Sequence, residues 1–158
     1  MHIKDVENIL VKFKDVKVLV IGDIGLDSYV TGSVKRISPE APVPVVNVEN
    51  TYHRLGLSAN VVNNIKALGG QCELIGVIGS DHNAGFIRDE LGILEIKDSG
   101  LIIDKERPTT HKTRVLASKI HHVVRIDSES KKPISENIRK EVISKFTPVF
   151  FSFWDLLR

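Results

Sequence analysis

The sequence predicts a doubly wound α/β fold that carries a second, smaller β-sheet. A continuous apolar run at 16–23, VKVLVIGD, has the composition of a strand that is buried on both faces. A second run of this kind at 72–79 follows a segment with helical spacing, and the three together make a βαβ unit. Two further stretches, 29–50 and 109–127, alternate polar and β-branched residues, as strands with one solvated face do.

The remaining elements of the α/β part follow in order along the chain. Apolar residues at helical spacing predict a short amphipathic helix over 5–14, before the first strand. The helix between the two apolar runs is predicted over 58–68, with the glycines at 69–70 as its end. Another helix is expected over 82–94, and a third strand over 100–104. This alternation is typical of a parallel sheet with helices on both faces.

The second sheet is predicted to be a small antiparallel flap that projects from the main sheet. Its strands come from 29–50 and 109–127. Pro39, Pro42 and Pro44 each lack a backbone donor, so the link within the first stretch must be a turn or an edge.

Composition excludes several classes of protein. The chain has 158 residues, which suits one domain, and its 42% hydrophobic and 27% charged residues are typical of soluble globular proteins. The scattered basic residues leave a net charge of +2, so we expect no nucleic-acid partner. We also expect no membrane association, because no apolar run reaches about 18 residues. The single cysteine, Cys72, and the lack of a signal peptide favour the cytoplasm.

Two polar clusters lie where an open α/β sheet binds its ligand. Asp23 and Asp27 follow the first strand, and carboxylates there suit the hydroxyl groups of a sugar better than a phosphate. Gly56 and Asn60 stand ahead of and within the next helix, where a glycine admits a ligand and an amide matches vicinal diols. The alternatives are that an aspartate merely shapes the turn and that Asn60 only caps the helix.

The second flap segment is rich in basic side chains. Lys112 and Arg114 stand two residues apart and therefore share one face of a strand, as a pair that binds a phosphate would. The alternative is a pair of solvated charges that protect a sheet edge. His111 lies beside them, and the adjacent His121 and His122 lack further ligands at metal spacing, so no metal site is expected.

A glycine-containing turn, GVIGSD at 76–81, follows the second apolar run. Such a turn could cradle a phosphate, but tight chain reversal is the simpler interpretation. The chain contains no nucleophile elbow, P-loop, HExxH or CxxC motif, so hydrolase and metalloprotease functions have no support.

Together these motifs resemble the N-terminal half of a PfkB or ribokinase-type sugar kinase, in unbroken order over about 16–127. The segments concerned are GDIGLDSYVTGSVKRISPEAPVPVVNV, RLGLSANVVNNIKALGG, IGVIGSD and TTHKTRVLASKIHHVVRID. The RISPEAPVPVV string is similar, more narrowly, to the kinases that act on D-glycero-β-D-manno-heptose 7-phosphate. The resemblance implies a Rossmann-like kinase domain whose β-flap forms a lid over the sugar and often a homodimer.

The resemblance also implies a reaction and a set of residues. In such kinases ATP, accompanied by Mg²⁺, phosphorylates O1 of the heptose 7-phosphate on the way to ADP-heptose and lipopolysaccharide. The aspartate and the asparagine hold sugar hydroxyls, the glycine run lines the sugar, and the basic lid residues lie near the substrate phosphate. The substrate-binding residues implied here are Asp27, Gly56, Leu57, Asn60, Lys112 and Arg114.

The chain departs from the family pattern at two places in this region. Leu57 stands where the family has a second glycine, so its side chain could crowd the sugar or change which sugar fits. His121 and His122 stand where the family has a pair of glutamines. Another PfkB-type carbohydrate kinase is therefore an alternative to the heptose kinase.

The larger departure is that the 158 residues contain no Gly-Ala-Gly-Asp turn, which holds the catalytic aspartate of the family. We therefore expect residues 1–158 to be a truncated N-terminal half, without the nucleotide-binding half and with no catalytic residue. The chain alone would be inactive and would bind neither ATP nor Mg²⁺ tightly. Its tail, 148–158, takes the place of a buried strand. The alternatives are a small domain whose last strand ends the sheet and a non-catalytic module for sugar-phosphate binding or dimerisation.

Overall fold

A computed structural model of the chain describes residues 3–118 and 121–155. It divides the strands between two sheets, which meet where β2 begins. In chain order the elements are α1 (Ile3–Val11), β1 (Lys17–Ile21), β2 (Ile24–Ile37), β3 (Pro44–Gly56), α2 (Leu57–Ala67), β4 (Gln71–Ile78), α3 (His82–Ile93), β5 (Leu101–Ile103), β6 (Thr110–Ala117), β7 (His121–Ser128) and α4 (Glu136–Asp155).

The first sheet is parallel, as the apolar runs predict. Its strands stand in the order β1-β4-β5, with Val20 opposite Leu74 and Gly76 opposite Leu101. Each predicted helix and strand of this part begins and ends within a few residues of its expected bounds. The predicted α/β class is confirmed.

Helices cover both faces of the central strand, β4. Leu74 and Ile78 belong to the main hydrophobic core, which includes buried side chains of α2 and α3 such as Val62 and Ile87. Alternate residues of a strand point to opposite faces. Ile75, between them, is also buried but borders a small cavity that is lined by side chains of α4.

The second sheet is the lid, with strand order β3-β2-β6-β7. Its β2–β3 and β6–β7 pairs are antiparallel, but β2 and β6 run parallel, so the prediction of a purely antiparallel flap is wrong. The reason lies in the connections: β2 follows β1, and β6 follows β5, so both leave the parallel sheet in the same direction. The lid strands begin at 24 and 110, and β3 extends to 56.

The proline-rich segment forms the reversal between the two long lid strands. Pro39 and Pro42 lie in the turn at 38–43, where the amide of Ser38 donates to the carbonyl of Val43 at 2.8 Å. Pro44 is the first residue of β3, which is an edge strand. The expected turn is confirmed, because proline is tolerated where no neighbouring strand needs its N–H.

The tail does not form the expected buried strand within the described residues. Residues 148–155 continue helix α4, with Pro148 inside the helix and Phe151 58% exposed. A helix satisfies its backbone hydrogen bonds internally, whereas the neighbouring β5 offers a partner only three residues long. The last three residues of the predicted strand, 156–158, lie outside the described residues. Within the described part of the chain, no helix combines the length and hydropathy needed to cross a membrane.

The core predicts a clear difference between two isoleucines of helix α3. Ile87 is fully buried, so Ile87→Ala should lower the free energy of unfolding by about 2–5 kcal/mol, through lost apolar burial and a residual cavity. Ile93 is 74% exposed on the same helix, and Ile93→Ala serves as the matched control. Urea unfolding measures both; equal losses in the two variants would contradict the described packing.

Candidate functional site

The candidate site lies at the junction of the two sheets, on one face of the lid. Residues directly opposite each other on paired strands share a face. Asp27 is opposite Arg54 on β3 and Lys112 on β6, and Tyr29 is opposite Tyr52 and Arg114 in the next row. We call this surface the charged face. Its members are Asp27, Tyr29, Tyr52, Arg54, Lys112, Arg114, Arg125 and Asp127.

Asp27 and Arg114 form the central ion pair of the charged face. Nη1 of Arg114 donates to Oδ1 of Asp27 at 2.6 Å, and both side chains are 22% exposed. The bond to Asp27 raises the pKa of the Arg114 guanidinium above its ordinary value. The arginine therefore stays charged and holds one carboxylate oxygen in a fixed position.

The second oxygen of the Asp27 carboxylate faces Gly56. A Cβ placed on Gly56 would lie 3.2 Å from Oδ2 of Asp27 and 3.1 Å from its Cγ. A side chain at position 56 would therefore press on the carboxylate, and glycine leaves this oxygen approachable. The structure thus brings together three of the residues that the sequence predicted, namely Asp27, Gly56 and Arg114.

Two tyrosines and two arginines support the charged face in a way that the sequence analysis missed. Tyr29 and Tyr52 stack with ring centroids 4.9 Å apart and planes inclined by 9°. The guanidinium of Arg114 lies 5.4 Å from the centroid of Tyr29, and that of Arg54 lies 5.5 Å from Tyr52. Cation–π contacts of this kind help to orient Arg114 beside Asp27. These contacts join residues on different strands, so they can be found only once the register between the strands is known.

Lys112 is held by carboxylates of the last lid strand and the loop after it. Its Nζ donates to Oε2 of Glu129 at 2.9 Å and to Oδ2 of Asp127 at 3.5 Å. The contact with Glu129 is the main cause that raises the pKa of Lys112. Arg125 also binds Asp127 and lowers the pKa of that carboxyl. An incoming anion at Lys112 would thus compete with carboxylates that are already in place.

Leu57 and Asn60 occupy the first turn of helix α2. Leu57 has a φ of 54°, in the left-handed region that favours glycine, and its side chain is 41% exposed. Asn60 is exposed, while Ala59 and Val62 on the same helix are buried, so the amide faces away from the core. Among the described contacts none joins Asn60 to Asp27, and its predicted role remains a prediction.

Several polar groups at the strand ends beside the site hydrogen-bond to one another. The amide and hydroxyl of Ser58 both donate to the backbone carbonyl of Asp23. In the glycine turn, the carboxylate of Asp81 accepts bonds from the amides of Ala84 and Thr109, and the Gly79 amide donates to the Thr109 hydroxyl. These amides are therefore occupied by side chains, as a chain-reversing turn requires and a phosphate cradle does not.

A serine–histidine cluster lies on the opposite face of the lid, where Ser28 is buried, His111 is half-buried and His53 is exposed. Ser28 is 2% exposed, and its Oγ is 2.6 Å from Nδ1 of His53 and 2.6 Å from Nε2 of His111. The ring of His53 meets Phe86 of helix α3 edge-on, at 5.1 Å between centroids. Burial, followed by repulsion from His53, lowers the pKa of His111. The sequence grouped His111 with Lys112 and Arg114 as basic residues of one lid strand, whereas the structure has His111 on the opposite face from these two, bonded to Ser28.

Comparison with known proteins identifies the family. Residues 16–141 match the family described as pfkB family carbohydrate kinase, a range that includes every candidate residue discussed above. The chain belongs to the PfkB family of carbohydrate kinases. This PfkB chain is 45% identical over 130 residues to the Bifunctional protein HldE of Helicobacter hepaticus, and 45% identical over 124 residues to that of Desulfatibacillum aliphaticivorans. The alignments cover 82% and 78% of this chain but only 27% and 25% of those relatives, so the chain spans about a quarter of their length.

Solved structures agree with the fold of the PfkB chain. A carbohydrate kinase from Agrobacterium tumefaciens has a TM-score of 0.56 at 19% identity, over 70% of this chain and 34% of that one. Ribokinase from Cryptococcus neoformans, solved in complex with ADP, has a TM-score of 0.55 at 20% identity, over 75% of this chain and 36% of that one. The ribokinase-like fold predicted from the motifs is confirmed.

The serine–histidine cluster predicts that acid destabilises the fold through His111. Because the folded pKa is lowered, the unfolded chain binds the proton first, near the ordinary histidine pKa of about 6.5. Stability is therefore retained above that pH and is lost as pH falls through the lower folded pKa. His53 opposes protonation, while the more distant Asp27 and Asp81 partly favour it.

Thermal unfolding between pH 7.5 and 5 measures this dependence. His111→Asn should lose less stability over that range than the wild-type chain. His122→Asn is the matched control, because His122 is exposed on β7. Parallel pH profiles for the wild-type chain and His111→Asn would contradict the prediction.

Proposed function

We propose that this chain forms the sugar-binding half of a PfkB kinase that phosphorylates O1 of D-glycero-β-D-manno-heptose 7-phosphate. The observation behind this proposal is the geometry of Asp27. One carboxylate oxygen is fixed by Arg114, and the other lies beside the bare backbone of Gly56. Such an oxygen accepts hydrogen bonds from sugar hydroxyls.

The heptose phosphate as substrate is supported by two further observations. The RISPEAPVPVV string, at residues 36–46, resembles the heptose 7-phosphate kinases, and the curated relatives at about 45% identity share one name. In this proposal Asp27 and Asn60 bind hydroxyls, while Gly56 and Leu57 line the sugar. The cationic groups on β6, Lys112 and Arg114, attract the phosphate of the substrate.

The charged face suits a substrate that carries both hydroxyls and a phosphate. Asp27 alone would repel the phosphate, but Arg114 neutralises it and Arg54 stands directly opposite on β3. Lys112 would exchange Glu129 for the substrate phosphate, which offers more acceptor oxygens. The lid thus offers hydroxyl acceptors at Asp27 and positive charge one strand away.

ATP with Mg²⁺ would supply the transferred phosphoryl group in the full kinase. The described residues of the glycine turn leave no free amide at Gly79 or Ala84, because these two amides donate to the side chains of Thr109 and Asp81. We therefore assign no nucleotide contact and no catalytic role to the described residues. We propose that the 158-residue polypeptide alone does not catalyse phosphoryl transfer. A cytoplasmic location and a homodimer through the lid remain predictions.

Another PfkB-type carbohydrate kinase is the second candidate. The observation that favours it is Leu57, whose side chain stands at the edge of the proposed sugar site in a backbone conformation that favours glycine. A bulky residue there can change which sugar the site accepts. The two candidates share the sugar-phosphate site and differ only in the length of the sugar.

Loss of the Asp27 charge should weaken binding of the sugar phosphate. Hydrogen bonds to charged groups contribute about 1.5–3 kcal/mol, so Asp27→Asn should raise the Kd for heptose 7-phosphate by about 10-fold or more. Isothermal titration calorimetry on the 158-residue chain measures this. Asp89→Asn, at an exposed position of helix α3, is the charge-matched control and should bind like the wild-type chain.

Equal affinity in the wild-type chain and Asp27→Asn would contradict the proposed site. Tighter binding of ribose 5-phosphate than of heptose 7-phosphate would favour the second candidate.

Incubation of the 158-residue polypeptide with ATP, Mg²⁺ and heptose 7-phosphate should give no bisphosphate product. Phosphoryl transfer needs a positioned nucleotide and a base for the attacking hydroxyl, and we assign neither to this chain. Formation of ADP in a coupled assay, dependent on the sugar and abolished by Asp27→Asn, would refute this part of the proposal.

A further inference from the structure

The backbone at Leu57 is an outlier that points to a specific role. A φ of 54° is uncommon for any residue other than glycine, and leucine lacks the short polar side chain that eases the conformation for asparagine. Outliers of this kind cluster at functional sites, where the surrounding structure holds them in place. Here the pairing of Gly25 with Gly56 and the bridge between Ile24 and Leu57 hold the chain on either side.

The Leu57 side chain packs against Gly25, on the face of β2 that carries Asp27. Its Cδ1 is 3.0 Å and its Cγ 3.4 Å from the position that a Cβ on Gly25 would take. Gly25 and Asp27 are two residues apart on β2, so this position is on the same face as the Asp27 side chain. The isobutyl group therefore fills the space beside Gly25, on the face of β2 that carries Asp27.

The same side chain is not sealed in the core. Leu57 is 41% exposed, whereas Leu55 two residues earlier is 5% exposed and belongs to the main core. The part of Leu57 that is not against Gly25 is therefore accessible to solvent. A ligand that binds on this face of β2 would therefore meet the apolar side chain of Leu57.

We propose that Leu57 is a specificity-determining residue that limits the size of the sugar at Asp27. The inference rests on the proposed function, because it takes the Asp27 carboxylate to bind a sugar phosphate. The leucine side chain makes van der Waals contact with the carbon skeleton of a short sugar. It offers no hydrogen-bond partner to the additional hydroxyl groups of a longer one. The chain still binds heptose 7-phosphate, but less tightly than it would with glycine at position 57, whereas a shorter sugar phosphate is affected less.

Calorimetry with two probes, ribose 5-phosphate and heptose 7-phosphate, tests the proposal on the 158-residue chain. In Leu57→Gly the ratio of the two affinities should shift by about 10-fold or more in favour of the heptose, since a pocket methylene or two discriminates to that extent. Leu57→Ala should give a smaller shift in the same direction. Leu68→Ala, at an exposed leucine directly after helix α2, is the matched control and should leave the ratio unchanged.

Thermal unfolding provides a readout that does not depend on the ligand. Glycine accepts a φ of 54° without strain and alanine does not, so Leu57→Gly should have a higher Tm than Leu57→Ala. An affinity ratio that is the same in the wild-type chain, Leu57→Gly and Leu57→Ala would overturn the proposal.

The outcomes separate this inference from the proposed function. Binding that depends on Asp27 but is indifferent to Leu57 refutes the inference and leaves the proposed function standing. Binding of heptose 7-phosphate by the wild-type chain that becomes tighter, relative to ribose 5-phosphate, in Leu57→Gly supports the inference and agrees with the proposed function. Absence of any binding that Asp27→Asn abolishes, in every variant, refutes the proposed function and the inference with it.

Discussion

The parallel pairing of β2 with β6 is the constraint from which the candidate site follows. These strands are 83 residues apart where Ser28 meets His111, yet their register sets Asp27 opposite Lys112 and Tyr29 opposite Arg114. A shift of this register by one residue would place the cationic side chains on the other face of the sheet, because side chains alternate along a strand. The buried residues at the start of β2, including Ile24 and Leu26, anchor that register in the core.

The two faces of the lid perform different tasks. The charged face carries Asp27 and the arginines on stacked tyrosines, where solvent and ligand have access. On the opposite face the Ser28 hydroxyl hydrogen-bonds with both His53 and His111, and the ring of His53 contacts Phe86 of helix α3. Because the pKa of His111 is lowered, protonation of this histidine opposes the folded arrangement of the cluster.

Charge compensation on the lid allows acidic and basic residues to share one surface. Asp27 forms an ion pair with Arg114, and Lys112 forms ion pairs with Glu129 and Asp127. Rearranging such ion pairs at a partly exposed surface costs little free energy, because each pair contributes little net stability there. The same charges hold the lid together, and in the proposed function they would also bind an anionic sugar.

The sequence by itself determined the α/β class, the parallel sheet, the lid and the candidate residues Asp27, Gly56 and Arg114, because apolar periodicity and short motifs record local requirements. Only the tertiary structure decided that β2 and β6 pair in parallel, and which residues cross strands to meet. It also decided that the tail at 148–155 is helical, since that depends on the neighbouring strands available to it. Contacts between residues far apart in the chain leave no local pattern, and so the partners of His111 and the conformation of Leu57 became visible only once the strands were in register.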